Sequence, residues 1–156
     1  MYRVRDLMGL TVFDSKGKKI GVVNDLALDY FNGKITGFIV SKKLFSNLDY
    51  VDLSNVISIN ESIMAVGIHI HRGVKFSEIK NFDFIDKDGS ILGILEDLLI
   101  DYDFSIRGLI VVGGFFNKFK SGKRVFQIKD TILGEENLLF FGNKNITMRM
   151  LPAKFV

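Results

Sequence analysis

The chain has no cysteine, no tryptophan, one proline and two histidines among its 156 residues. Without cysteine there is no disulfide framework, no thiol nucleophile and no thiolate metal site. Long apolar runs are missing too. The longest near-unbroken one, Leu109 to Phe116 with two glycines inside, falls far short of the roughly 18 residues that a membrane-spanning helix needs. The opening Met1-Tyr-Arg-Val-Arg-Asp6 lacks the apolar core of a secretory signal. Nor is the charge of one sign: 21 basic against 18 acidic residues leave +3, a small excess for a dedicated nucleic-acid binder. A soluble, cytoplasmic protein is expected, with no cofactor, no metal site and no catalytic residues.

What the chain does have is phenylalanine, 15 of them, a hydrophobic share of 47%, and an internal repeat, the first thing to seek because it decides the fold. Val12-Phe-Asp-Ser-Lys-Gly-Lys-Lys-Ile-Gly21 returns as Phe84-Ile-Asp-Lys-Asp-Gly-Ser-Ile-Leu-Gly93, 72 positions later. The register carries on through Asp25/Asp97, Leu26/Leu98, Asp29/Asp101 and Tyr30/Tyr102. One residue then drops out, and Ile35, Gly37, Ile39 and Val40 match Ile106, Gly108, Ile110 and Val111. Beyond that the offset is 75, giving Leu53/Ile128, Ile57/Ile132, Glu61/Glu136 and Gly67/Gly142. The insertions and deletions fall where turns are expected, as in a true duplication.

Each copy reads as β structure. Asp14-Ser-Lys-Gly17 and Asp86-Lys-Asp-Gly89 are turn clusters between apolar stretches. Ile20, Val22, Asn24, Leu26 and Leu28 alternate onto one strand face, with Val23, Asp25, Ala27 and Asp29 on the other. Asn32-Gly33 is a strong hairpin signal leading into Ile35–Val40. The second copy predicts a strand from Leu92 to Ile100, a turn at 102–105 and a strand from Ile106 to Val112. Short helical turns are expected near Asp52–Val56 and Ile128–Thr131, each before a closing strand, Ile63–Ile70 and Leu138–Phe141. Many short strands with regular turn signals suggest a small barrel or sandwich. Copies of about 70 residues hold small cores, so the phenylalanines should compensate, and the copies should pack on each other or the chain should form a homodimer, covering exposed strand edges.

The repeated pattern, an aliphatic entry, an Asp/Gly turn, Ile/Leu-Gly, Asp-Leu-x-x-Asp and then Gly-x-Ile-Val, resembles the PRC-barrel family. In this chain it runs over Val12 to Val40 with Leu53 to Val66, and again over Phe84 to Val111 with Ile128 to Phe141. PRC barrels are known from the ribosome-maturation factor RimM and the H subunit of photosynthetic reaction centres, and short stand-alone members occur in spore-forming bacteria. The resemblance implies a mainly β fold of two tandem small PRC-type antiparallel β-barrels. Copy one would span 1–72, and copy two 73–156 with a C-terminal extension. It implies a binding module rather than an enzyme, and it brings no catalytic motif.

The chemistry-bearing clusters give the same answer. Asp25/Asp29 and Asp97/Asp101 share a strand face but stand about 13 Å apart by strand rise, too far for a carboxylate dyad, so each is expected to bind backbone N–H groups at a strand end or turn. Asp86-x-Asp88-Gly89 fails as a calcium loop, since Phe84 and Leu95 fall where carboxylates belong. His69-x-His71 lacks a third ligand nearby in sequence. Ser121-Gly-Lys123 has Asn117 where a phosphate loop needs its first glycine. The partner-binding candidate is a basic, aromatic loop, made of Phe115, Phe116, Lys118, Phe119, Lys120, Lys123 and Arg124, with a shorter counterpart at Lys42, Lys43 and Phe45. Opposite in character, 83–103 holds seven acids and one lysine, so the surface is dipolar and suited to orienting a partner. The expected function is a non-enzymatic adaptor with a protein partner. The alternatives are a ribosome- or RNA-associated factor, using cations beside aromatic faces, and a protein peripheral to an anionic membrane surface.

Overall fold

A computed structural model describes residues 1–41, 46–113, 122–143 and 148–149. The chain opens with β1 (Tyr2–Arg3) and one helical turn, α1 (Val4–Leu7). There follow β2 (Thr11–Asp14), β3 (Lys19–Asp29), β4 (Lys34–Val40), β5 (Tyr50–Asp52), β6 (Val56–Ile59) and β7 (Ser62–Ala65). The pattern then restarts with β8 (Val74–Lys75) and α2 (Phe76–Ile79). The second copy continues as β9 (Asp83–Asp86), β10 (Ile91–Ile100), β11 (Ile106–Val112), β12 (Lys123–Phe126), β13 (Thr131–Leu133), β14 (Asn137–Phe140) and β15 (Met148–Arg149). Single 3-10 turns at Leu53–Asn55 and Ile128–Asp130 occupy the places where helical turns are expected.

The protein is mainly β, in two sheets that make two small barrel-like units. The first runs β5-β4-β3-β2-β7-β6 and the second β13-β14-β9-β10-β11-β12-β15. Neither is wholly antiparallel: β2 pairs with β7, and β9 with β14, in parallel. The closing strands stop earlier than the sequence suggests, β7 at Ala65 and β14 at Phe140.

The period-two reading of the long strands breaks at bulges. Ladder shifts fall between Val23 and Asp25 and between Ala27 and Leu28 in β3, and at Leu95/Asp97 and Leu99/Ile100 in β10, the same places in the repeat. An extra residue on one strand flips the faces beyond it and deepens the twist. Asn24 is exposed while Leu26, Ala27 and Leu28 are all buried. The glycine before each bulge lets the neighbouring strand lie close. At Gly93, in the left-handed region at φ 154°, a Cβ would run into the Val112 carbonyl and the Val111 side chain, whereas at Gly21 the Ser41 oxygen stands 3.0 Å from it.

The two copies exchange their leading segments. Tyr2 and Arg3 pair with Ile100 and Leu99 of β10, while Val74 and Lys75 pair with Leu28 and Ala27 of β3. These are repeat-equivalent contacts, so each copy's arm lies on the other copy's long strand. The chain then returns home: Gly9 and Leu10 bond to Val23, and Asn81 and Phe82 bond to Leu95. Gly9 (φ 83°) and Asn81 (φ 71°) make that turn in the left-handed conformation usual just past a helix end. Where the hairpin tips meet, Lys34 forms a bridge with Ser105. Ile35 N–H donates to Phe104 O (2.9 Å) and Ile106 N–H to Gly33 O (2.7 Å). Ile35 and Ile106 are equivalents, so the bridge sits on a local two-fold axis relating the copies.

The two cores are filled differently within this frame. In copy two, Phe84, Phe126 and Phe140 pack together with centroids 4.5 to 5.8 Å apart. Their equivalents in copy one are Val12, Val51 and Ala65, all fully buried. Across the junction Phe104 sets its edge on Phe38 at 6.0 Å, and the buried Tyr30 hydroxyl meets the Thr131 hydroxyl at 2.6 Å.

Candidate functional site

The carboxylates expected to act in turns divide into two groups. Asp29 accepts from Asn32 N (3.1 Å) and Nδ2 (2.8 Å), closing the Asn-Gly hairpin, and Asp101 accepts from Tyr102 N and pairs with Arg107. The Asn32 side chain foremost, then its backbone N–H, holds the Asp29 carboxyl below its ordinary range. Asp25 and Asp97 act differently. Both are buried at the bulges and accept the N–H of the following residue, at 2.8 Å. Each also receives the other copy's arm. Asp97 accepts from Val4 N at 3.0 Å and pairs with Arg3 Nη2 at 2.8 Å, and Asp25 accepts from Ser77 N at 3.2 and 3.3 Å. They bind backbone N–H groups, as the sequence suggests, but across the junction between copies.

The other motifs hold local structure. Asp86 Oδ1 accepts from Asp88 N (2.8 Å) and Ser90 N (2.9 Å), an Asx turn where calcium ligands would have stood. His69 Nε2 meets Asn55 Nδ2 and His71 Nε2 meets Gly73 O, both at 3.1 Å. Among the described residues no group of three or more His, Cys, Asp or Glu is arranged to hold a metal, and no helix is long and apolar enough to cross a membrane.

Most of the basic, aromatic candidate set, Lys42, Lys43, Phe45, Phe115, Phe116, Lys118, Phe119 and Lys120, lies outside the described residues. The two remaining members are engaged within copy two. Lys123 Nζ lies 2.6 Å from Glu96 Oε2. Arg124 donates to the Leu92 carbonyl and rests its guanidinium over the Phe126 ring, 5.5 Å from the centroid.

Sequence reasoning did not single out a pair of equivalent surfaces. A cleft of about 380 Å³ in copy one is bordered by Asp14, Lys18, Lys19, Leu48 and Ile68. A cleft of about 530 Å³ in copy two is bordered by Asp86, Lys87, Asp88, Phe141 and Asn143. Asp14/Asp86, Gly67/Gly142 and Ile68/Asn143 are repeat equivalents, so both open at the same end of their units. The N–H of Lys18, with that of Lys16, keeps Asp14 below the ordinary carboxylate range. Phe141, 48% exposed, borders the second cleft, and its equivalent Val66, 55% exposed, directly precedes Gly67 at the border of the first. A second matched pair, Ile57 at 56% and Ile132 at 49%, is also exposed. The repeat pairs Ile57 with Ile132, so half of this signal was already in the sequence. What it could not show is that both face solvent.

Against known proteins, residues 1–68 match the PRC-barrel domain. No curated protein matches the chain. A PRC-barrel domain therefore forms the first part of the molecule. It is a non-catalytic binding fold, found in adaptor and binding proteins.

Proposed function

We propose that the protein is a non-enzymatic, cytoplasmic adaptor built from two tandem PRC barrels, 1–72 and 73–156, which binds a protein partner through the equivalent ends of its two copies. The observation that carries this reading is the matched exposure of Ile57 with Ile132 and of Val66 with Phe141. Isolated exposed apolar residues are ordinary, but the same two positions kept apolar and solvent-facing in both copies, with Val66 and Phe141 at equivalent clefts, mark a binding face. Protein interfaces centre on such apolar anchors inside a polar rim, and Lys18, Lys19, Lys87 and Asp88 supply the rim.

The test is site-specific photocrosslinking in cells. A photoreactive amino acid at Val66 and at Phe141 is expected to give a protein adduct of one mass, absent when the same group replaces exposed Asn60. An adduct that nuclease removes would favour the RNA reading, and one recovered only with membranes the peripheral-membrane reading. No adduct from either position would end the proposal.

A further inference from the structure

The two arms, seen side by side, define a recognition code. Tyr2-Arg-Val-Arg-Asp-Leu7 and Val74-Lys-Phe-Ser-Glu-Ile79 share the order apolar, basic, apolar, any, acidic, apolar. Every position but the fourth has a visible side-chain or pairing task. The first two residues add a short antiparallel strand to the edge of the receiving strand. The third and sixth are buried: Val4, Leu7, Phe76 and Ile79 all belong to the core. The acidic fifth residue closes the helical turn on the arm's own backbone, Asp6 accepting from Arg3 N at 2.7 Å and Glu78 from Lys75 N at 2.9 Å. The receptor contributes a buried aspartate at a bulge, which accepts the N–H of Val4 or Ser77. At Asp97 it also takes the arm's basic residue, Arg3.

Two different sequences obeying one pattern thus occupy two different sites in one strand register, although the aspartate takes the N–H of the arm's third residue at one site and of its fourth at the other. We propose that the bulged edges of β10 and β3 are receptor sites for this docking segment, and that the site on β10 also accepts in trans the leading segment of a second copy of the chain. In the closed molecule the site is already filled. Only Met8 separates the arm from Gly9, which is anchored to Val23, and so short a tether keeps the arm at an effective concentration on the order of mM or above. A free segment gains access only when the resident arm is out of place.

Full-length chains test this. A fluorescent peptide of residues 1–8 is titrated by anisotropy into the wild type, into Val4→Asp, whose arm cannot bury its third position, and into Val4→Asp with Asp97→Ala. Saturable binding to Val4→Asp is expected, at least tenfold weaker to the wild type and lost in the double variant. If Val4→Asp does not melt cooperatively alone, the peptide should restore a cooperative melt. For the second copy, Asp97→Ala (free arm, impaired receptor) mixed with Val4→Asp (free receptor, impaired arm) should sediment as a heterodimer that neither forms alone. A folded Val4→Asp that ignores the peptide, equal binding to the wild type, an unfolded Val4→Asp that the peptide fails to rescue, or an unmixed pair of monomers would each overturn the proposal.

Discussion

Asp97 and Asp25 occupy equivalent positions but carry unequal loads, and the difference can be measured. In Asp97→Ala the Arg3 guanidinium, its side chain only 12% exposed, loses its carboxylate, and Val4 N–H loses its acceptor. Breaking a buried ion pair from one side costs about 3–5 kcal/mol, because the surviving charge stays desolvated. In Asp25→Ala the loss across the junction is the longer contact from Ser77 N, and an orphaned N–H costs about 1–3 kcal/mol. For a chain of this size 1 kcal/mol moves Tm by roughly 2–4 °C, so Asp97→Ala should melt about 6–20 °C below the wild type and Asp25→Ala about 2–12 °C below, the smaller shift of the two. Urea unfolding followed by circular dichroism gives the same quantities, provided that the slopes agree. A double-mutant cycle of Arg3→Met with Asp97→Ala isolates the pair. The reasoning is refuted if Asp25→Ala costs as much as Asp97→Ala, or if the two halves of the cycle simply add.

Other consequences are as direct. Phe126→Ala, which opens the centre of the copy-two aromatic cluster, should cost about 3–5 kcal/mol in urea unfolding. Gly93→Ala should destabilise more than Gly21→Ala, since its methyl group meets a neighbouring-strand carbonyl more closely; thermal melts of the two variants rank them. Burial pushes the Tyr30 hydroxyl up to about 12, against the opposing bond to Thr131. Spectrophotometric titration should therefore show a tyrosine ionising near pH 12 that is missing in Tyr30→Phe. The raised value means that the protonated form is favoured in the folded state. Tyr30 thus contributes its full stabilisation below about pH 10, and loses it as pH rises through 12.

Much of this architecture is legible in the sequence because turn chemistry is local. Asn32-Gly33, the Asp14 and Asp86 turns and the paired 3-10 turns all act within a few residues, and all appear where the repeat places them. The bulges are not local: whether Asn24 faces in or out depends on how β3 pairs with its neighbours, so strict alternation failed there. The arms were missed for a related reason. Six residues at the start and six near the junction carry no hairpin or strand signal of their own, and their packing partners lie more than 45 positions away in the chain. Yet the register that aligns Asp14 with Asp86 also aligns Arg3 with Lys75 and Asp6 with Glu78, and extending it backwards would have exposed the arm as a repeated unit. The candidate surface was half legible, since the pairing of Ile57 with Ile132 can be read from the repeat but their shared exposure cannot.

The bridge between Lys34 and Ser105 has a consequence for how such a molecule can change. In a homodimer of identical chains, the residue on the axis faces its own copy, and every substitution there arrives twice. Here the axis joins a lysine to a serine, so each side can vary while the other stays put. The same freedom runs through the interior, where three phenylalanines in one unit answer two valines and an alanine in the other. With both halves in one chain, the two matching surfaces can be adjusted independently.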